Sequence, residues 1–236
     1  MSGGDATVDA VAERLRVVRA RIDGVARAWT HEIEITAVTQ AFEPSIISAA
    51  VAAGCSAIGE NYAQELLSKR SVIESVPSAS APRVDFIGHL QSNKVRQLVG
   101  LVDRWCTVDR ISIAKEIAKR DPGAEVLLQV NVTGEEQKGG GDPDAVAALA
   151  TDCSDLGLDV AGLLSIGPTS AEPATTRAGF EMTRSLVDDL GLRVCSIGMT
   201  GDLEIAVECG STNVRIGSAL FGDRPVPVHQ EGDGRG

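Results

Sequence analysis

Aromatic side chains are scarce in this chain, at 3% of 236 residues, and histidine occurs three times. A surface that stacks nucleic-acid bases needs several aromatic rings, so the composition argues against a single-strand binder. Acidic residues outnumber basic ones by 33 to 22, which gives a net charge of -11. Binding to a phosphate backbone requires a clustered positive surface, so we expect no nucleic-acid partner.

The five cysteines are widely spaced and never form a C-x-x-C pair. This pattern fits neither a disulfide framework nor a zinc site, so we expect reduced, buried thiols and no metal. Apolar runs stop short of the roughly 20 residues that a membrane helix needs, and the opening residues show no basic start followed by an apolar block. We therefore expect a cytoplasmic protein without a membrane partner, and the acidic charge favours a monomer.

Hydrophobic residues make up 43% of the chain, which is enough to bury a sizeable core. Apolar residues recur at steps of three and four between Val8 and Val25, which predicts a long opening helix. Glycines follow five later helix-like stretches, at the place of a left-handed C-cap: Gly54, Gly100, Gly157, Gly191 and Gly210. Between those stretches lie eight short β-rich runs, at residues 33–39, 55–59, 84–88, 105–108, 125–132, 159–166, 193–198 and 212–217.

Strict alternation of strands and helices indicates a parallel sheet, and eight units favour a closed (β/α)8 barrel of the TIM type over an open doubly wound sheet. No clear linker divides the chain. We therefore predict an α/β protein with one barrel domain over residues 1–224, an extra N-terminal helix, and a flexible tail over residues 225–236.

In such a barrel, functional groups gather at the C-terminal ends of the strands, and phosphate often binds the loops after strands seven and eight. Those two loops, CSIGMTGD and VRIGS, carry Ser196, Gly217 and Ser218. Backbone N–H groups and hydroxyls at such turns suit a phosphate dianion, whereas either loop by itself is better explained by a tight turn. Two such loops on adjacent strands favour a phosphorylated small-molecule ligand.

Three other strand ends carry polar side chains with two interpretations each. Arg215 is predicted to face the barrel interior, where it would pair with a carboxylate or donate to a ligand. Asn61 suits a helix cap as well as a ligand contact. His89 has no second residue at metal-ligand spacing, so we predict neither catalytic nor metal-binding residues.

Five blocks in order, GENYAQEL, FIGHLQSNKVR, QVNVTGEEQKGG, SIGMTGDLEIAV and STNVRIGSALFG, resemble the pyridoxal phosphate homeostasis protein family. Its barrel is similar to the N-terminal domain of alanine racemase. The resemblance implies binding of pyridoxal 5'-phosphate (PLP) without robust catalysis. It also implies that Ser196 and the Gly217–Ser218 turn hold the phosphate, that Arg215 faces the pyridine nitrogen, and that Asn61 lines the pocket. An arginine opposite that nitrogen weakens the electron sink and suits a carrier rather than an enzyme.

The chain departs from the family pattern at AVTQ, where Gln40 takes the place of the lysine that forms the Schiff base with PLP. An amide nitrogen is not a nucleophile, because its lone pair is delocalised into the carbonyl, so the usual internal aldimine is missing. Ala41, Glu43 and Asp85 are further departures. The predicted noncovalent PLP site comprises Gln40, Asn61, Ser196, Arg215, Gly217 and Ser218.

Other amines and other functions remain open. Lys138, in the loop after the fifth strand, is a conceivable replacement amine, whereas Lys69 and Lys94 lie within helical patterns and suit that role less. The alternative function is a PLP-independent barrel that binds another metabolite or acts as a regulator. A racemase-like PLP enzyme ranks third, since it needs a lysine at residue 40.

Overall fold

The computed structural model describes residues 7–135 and 137–223. The predicted tail, residues 225–236, lies outside the described residues. Eight parallel strands close into a barrel in chain order, with β8 paired to β1, which confirms the predicted fold class. The strands β1 to β8 span Glu34–Val38, Ala57–Glu60, Arg83–Phe86, Arg104–Val108, Glu125–Gln129, Asp159–Leu164, Val194–Ser196 and Asn213–Ile216.

Helices surround the barrel on its outer face. The predicted N-terminal helix is present: α1 (Val8–Gly24) precedes β1, buries Val11, Leu15, Val18 and Ile22, and packs against α2 (Ser45–Ala52), α8 (Leu203–Glu208) and α9 (Ser218–Phe221). It covers the side of the barrel where the helix after β8 has a single turn. In the described part of the chain, α1 to α9 span Val8–Gly24, Ser45–Ala52, Ala63–Ser75, Ser92–Leu98, Ile111–Arg120, Val146–Asp155, Pro173–Asp189, Leu203–Glu208 and Ser218–Phe221.

Local turn chemistry follows the sequence closely. All five predicted C-cap glycines have positive φ, from 62° at Gly191 to 92° at Gly54. Six of the eight strands end one to three residues earlier than predicted, and two of these have a visible cause. β7 stops at Ser196 because Gly198, at φ 99°, turns the chain, and β5 stops at Gln129, beyond which Val130 makes an isolated bridge to Gly141.

All five cysteines lie in the buried interior of the structure as free thiols, as expected from their spacing in the sequence. No helix within residues 7–135 and 137–223 has the length and apolar character to cross a bilayer. Within the same residues, no cluster of three or more His, Cys, Asp or Glu side chains has the arrangement of a metal site.

The barrel interior contains a network of charges centred on Asp85. Arg104 Nη2 lies 2.6 Å from Asp85 Oδ2, and Arg83 Nε lies 2.8 Å from Asp85 Oδ1. Arg83 also binds Glu34, at 2.6 Å, and Arg104 lies 3.6 Å from Glu125. Asp85 and Arg104 are 1% and 2% exposed. Asp85, noted above as a departure from the family pattern, therefore joins strands β1, β3, β4 and β5 through two arginines.

Removing the centre of this network leaves two guanidinium groups with incomplete pairing inside the barrel. We expect Asp85→Ala to lower the free energy of unfolding by about 3–5 kcal/mol, the usual cost of breaking a buried ion pair. Arg193, whose side chain is 57% exposed, pairs with Asp159 at the edge of the same network. Arg193→Met should cost less than about 1 kcal/mol, as exposed pairs do. Urea unfolding curves measure both values, and equal losses would contradict the central role of Asp85.

Candidate functional site

A cavity of about 400 Å³ opens at the C-terminal ends of the strands. We call it the mouth cavity; it is lined by Asn61, Tyr62, Ile87, Gly88, His89, Gln129, Gln137, Lys138, Gly139 and Ile166. Asn61 reaches it because Gly88 lacks a side chain: a Cβ at residue 88 would lie 1.7 Å from the Asn61 carbonyl oxygen. The predicted ligand residue Asn61 and the predicted replacement amine Lys138 thus line one cavity.

Gln40 lies in a tight turn directly after β1. The Phe42 N–H donates to the Thr39 carbonyl at 3.3 Å, so Gln40 and Ala41 are the central residues of a β-turn. Ala41 has a φ of 65°, a left-handed conformation that an L-residue adopts only at a cost. Gln40 is buried, at 5% exposed, and makes contacts within the protein.

Arg215 is a buried cation whose described contacts are all neutral. Its guanidinium donates to the Ser196 carbonyl and hydroxyl, each at 2.7 Å, and to the Ser165 carbonyl at 2.8 Å. Among the described residues, no carboxylate lies within ion-pair distance of it. Burial lowers the pKa of Arg215 to about 10, so the side chain stays protonated at neutral pH. A desolvated guanidinium that forms no direct ion pair among the described residues can donate to an acceptor on a ligand.

Two hydroxyls meet where the loops after β7 and β8 come together. The Ser218 hydroxyl lies 3.4 Å from the Thr200 hydroxyl, and the Thr200 carbonyl accepts from Arg21 on α1 at 3.2 Å. Gly217, between β8 and α9, has a φ of -111°, and a Cβ there would lie 3.5 Å from the Val38 carbonyl oxygen. Neither a left-handed conformation nor a clash requires glycine at residue 217, and its role as a phosphate contact stays a prediction.

Thr200 is a residue that sequence reasoning did not select. The Ser196 hydroxyl donates to Asn213 at 2.7 Å and accepts from Arg215, so it lies in the barrel interior below the two loops. The role of Ser196 as a phosphate ligand stays a prediction. The signal for Thr200 was present in SIGMTGD, as the hydroxyl residue beyond the glycine turn.

Behind β1, on the helix side of the barrel wall, lies a buried polar cluster that we call the Lys69 cluster; its side chains are those of Thr39, Glu60, Glu65 and Lys69. Lys69 is 1% exposed, and its ammonium group donates to the Thr39 carbonyl at 2.7 Å, to Glu60 Oε1 at 2.6 Å and to Glu65 Oε1 at 2.9 Å. The Thr39 hydroxyl donates to Glu60 Oε1 at 2.5 Å. Because all three ammonium hydrogens have acceptors, Lys69 is a structural cation rather than a spare amine.

Lys138 is the amine that lines the mouth cavity. Its Nζ lies 2.5 Å from Glu135 Oε2 and donates to the Gly167 carbonyl in the loop after β6. Hydrogen bonds from Lys138 and Thr169 lower the pKa of Glu135 to about 2, so this carboxylate is ionised at neutral pH. Lys138 is thereby held as an ion-paired ammonium, which is a poor nucleophile.

Comparison with known proteins adds a family context. The family model "Alanine racemase, N-terminal domain" matches residues 7–225. The pyridoxal phosphate homeostasis protein of Pseudomonas aeruginosa is 38% identical over 224 residues, which cover 91% of this chain and 96% of that protein. The protein of the same name from Escherichia coli K12 is 34% identical over 233 residues, covering 91% and 97%.

Solved structures agree with this similarity. PipY of Synechococcus elongatus, solved with PLP bound, superposes with a TM-score of 0.78 at 28% identity, covering 90% of this chain and all of PipY. Alanine racemase from Corynebacterium glutamicum gives a TM-score of 0.71 at 16% identity and covers 96% of this chain and 64% of the racemase. At that identity the second likeness bears on the fold alone.

Glu60 leads to a prediction about pH. Its Oε2 atom has no hydrogen-bond partner among the described residues, and burial raises the pKa of this carboxyl above the usual 4.5, against the opposing effect of Lys69. A raised folded-state pKa contributes stability below the unfolded value, and that contribution is lost as pH rises through the folded value. The free energy of unfolding of the wild type, minus that of Glu60→Gln, should therefore fall as the pH rises above the usual pKa of 4.5.

The control for this prediction has the opposite sign. Hydrogen bonds from Thr175 and Ala174 lower the pKa of Glu172, so its contribution is present at neutral pH and lost as pH falls. The wild-type minus Glu172→Gln difference should rise with pH. Urea unfolding at several pH values gives both slopes, and slopes of the same sign would show that Glu60 is not the buried acid described here.

Proposed function

The chain belongs to the pyridoxal phosphate homeostasis protein family, and we propose that it binds PLP at the mouth of its barrel without a covalent link. The observation that carries this proposal is the buried, uncompensated Arg215 guanidinium beside two hydroxyl-bearing loops. Relatives bear the name of PLP homeostasis proteins, and PipY was solved with PLP bound. We also propose that the chain is a cytoplasmic monomer, and that it forms one domain over residues 1–224.

The donor set fits PLP in two places. Thr200 and Ser218 hydroxyls, 3.4 Å apart, can both donate to one phosphate group, as can the first amides of α9, which have no intrahelical acceptor. Arg215, on β8 shortly before Ser218, would supply a fixed donor to the ring nitrogen. Gln40 and Asn61 follow the ends of β1 and β2, and β1 is the neighbour of β8, so both would border the ring on the side next to Arg215.

When bound, PLP supplies an aldehyde and a ring that can act as an electron sink. The residues of this chain work against such chemistry. Arg215 keeps its own proton at neutral pH and leaves the ring nitrogen without one, which weakens the sink. Gln40 offers no nucleophile, and Lys138 is held by Glu135. These residues favour a noncatalytic carrier, in which binding and release are single noncovalent steps.

A comparison of two vitamers tests the noncovalent proposal. Without a covalent bond the aldehyde gains nothing over an amine, so PLP and pyridoxamine phosphate should bind the wild type with Kd values within about tenfold of each other. Gln40→Lys should shift the preference towards PLP and give a borohydride-stable adduct at residue 40. Fluorescence titration and intact-mass measurement give both results. An adduct on Lys138 in the wild type would overturn noncovalent binding, and absence of binding by either vitamer would overturn the PLP site itself.

A second prediction concerns the hydroxyls that hold the phosphate. Thr200→Val or Ser218→Ala should each weaken PLP binding by about tenfold, since hydrogen bonds to charged groups contribute about 1.5–3 kcal/mol. Binding of pyridoxal, which lacks the phosphate, should not change. Ser170→Ala, in the loop after β6, serves as the control. If Ser196→Ala alone gives the phosphate-dependent loss, then Ser196 holds the phosphate and Thr200 does not.

A further inference from the structure

We propose that the Lys69 cluster is a positioning device that fixes the direction of the side chain of residue 40 at the end of β1, whatever side chain stands there. This inference rests on the proposed PLP site, and it assigns a role to Lys69 and Glu65, neither of which lines the mouth cavity. Its consequence is that the chain keeps the backbone geometry for covalent attachment although the lysine is absent.

The cluster holds both peptide groups that flank the Gln40 Cα atom. On one side, the Thr39 carbonyl oxygen accepts from Lys69 Nζ at 2.7 Å. On the other side, the Ala41 N–H donates to Glu65 Oε1. Fixing the two peptide planes on either side of a Cα atom also fixes the direction of its Cα–Cβ bond. The side chain of residue 40 is thus aimed by its neighbours' backbone contacts.

The conformation at Ala41 explains why such a device is needed. A φ of 65° is unfavourable for alanine, so an unsupported turn would relax to another shape. The hydrogen bond from Ala41 to the charged Glu65 carboxylate offsets that cost only in the observed conformation. Lys69 holds Glu65 in place at 2.9 Å and thereby supports the turn from outside the barrel.

The Lys69 cluster also contacts the end of β2. Lys69 Nζ lies 2.6 Å from Glu60 Oε1, and Glu60, the last residue of β2, is completely buried. Asn61 follows Glu60 directly, as Gln40 follows Thr39. Each of the two proposed ligand residues on this side of the mouth therefore stands one position beyond a residue that the cluster holds.

A set of variants made on Gln40→Lys separates positioning from general stability. The new amine condenses with the PLP aldehyde, forming a C=N bond and releasing one water, and borohydride reduces that bond to a stable amine. Glu65→Ala removes the acceptor for Ala41, whereas Glu65→Gln keeps an oxygen at the same place. Arg70→Met is a control for substitution on the same helix, because Arg70 pairs with Glu74 rather than with the Lys69 cluster.

The readout is the ratio of PLP to pyridoxamine phosphate affinity, together with the fraction of borohydride-stable adduct. We expect Gln40→Lys/Glu65→Ala to lose the preference for PLP by about tenfold, with unchanged affinity for pyridoxamine phosphate. Glu65→Gln should restore the preference, and Arg70→Met should leave it intact. Equal losses for both vitamers would reduce the cluster to a structural role and overturn the inference. Lys69→Met leaves the buried Glu60 without its cation, so it is used only if its far-ultraviolet spectrum is native.

Amide hydrogen exchange at Ala41, measured by NMR without any ligand, keeps the inference testable if PLP does not bind. Exchange should accelerate by about tenfold in Glu65→Ala and not in Glu65→Gln or Arg70→Met. An unchanged rate in Glu65→Ala would overturn the positioning role. If PLP fails to bind the wild type while the exchange pattern appears as expected, the proposed function fails and the positioning role stands.

Discussion

Closure of the sheet between β8 and β1 is the constraint on which the rest of the molecule depends. The pairing of Thr36 with Arg215 and of Ala37 with Ile216 places the end of β1 beside the end of β8. Gln40 and the Gly217–Ser218 turn are far apart in the chain, yet they reach the same rim because every strand runs in the same direction. Without this seam, the turn that carries Gln40 and the loops that carry the hydroxyls would not border one site.

Three buried cations show how one type of charge serves different purposes in this fold. Arg104 has Asp85 at 2.6 Å, and Lys69 has Glu60 at 2.6 Å, so both are compensated within the barrel wall. Arg215 has only neutral acceptors. Burying a charge without a partner costs stability, and such a cost persists where function requires it. This contrast, rather than burial itself, is the reason for proposing Arg215 as the cation that meets the ligand.

Much of the fold could be predicted from the sequence because its signals are local. Alternation of strands and helices, and the five C-cap glycines, depend on nearest neighbours in the chain. The role of Asp85 could not be predicted, because its partner Arg104 comes from the next strand and its charge is compensated only through space. The burial of Lys69 could not be predicted for the same reason. A lysine within a helical pattern is usually solvated, and only the packing of α3 against the ends of β1 and β2 buries it. The choice between Ser196 and Thr200 depended on the left-handed turn at Gly198, which redirects the chain after β7.

The net charge of -11 gives no long-range attraction for an anionic ligand. A phosphorylated ligand is anionic, so the chain as a whole repels it at long range, although salt screens that repulsion beyond about 8 Å at physiological ionic strength. In the proposed site, affinity would come from groups in direct contact: the Arg215 guanidinium, the Thr200 and Ser218 hydroxyls, and the amides of the turn at Gly217. None of these proposed contacts is covalent, so release would require no covalent bond to be broken. Exchange of the ligand would then be limited by hydrogen bonds, which is the behaviour expected of the noncovalent carrier proposed above.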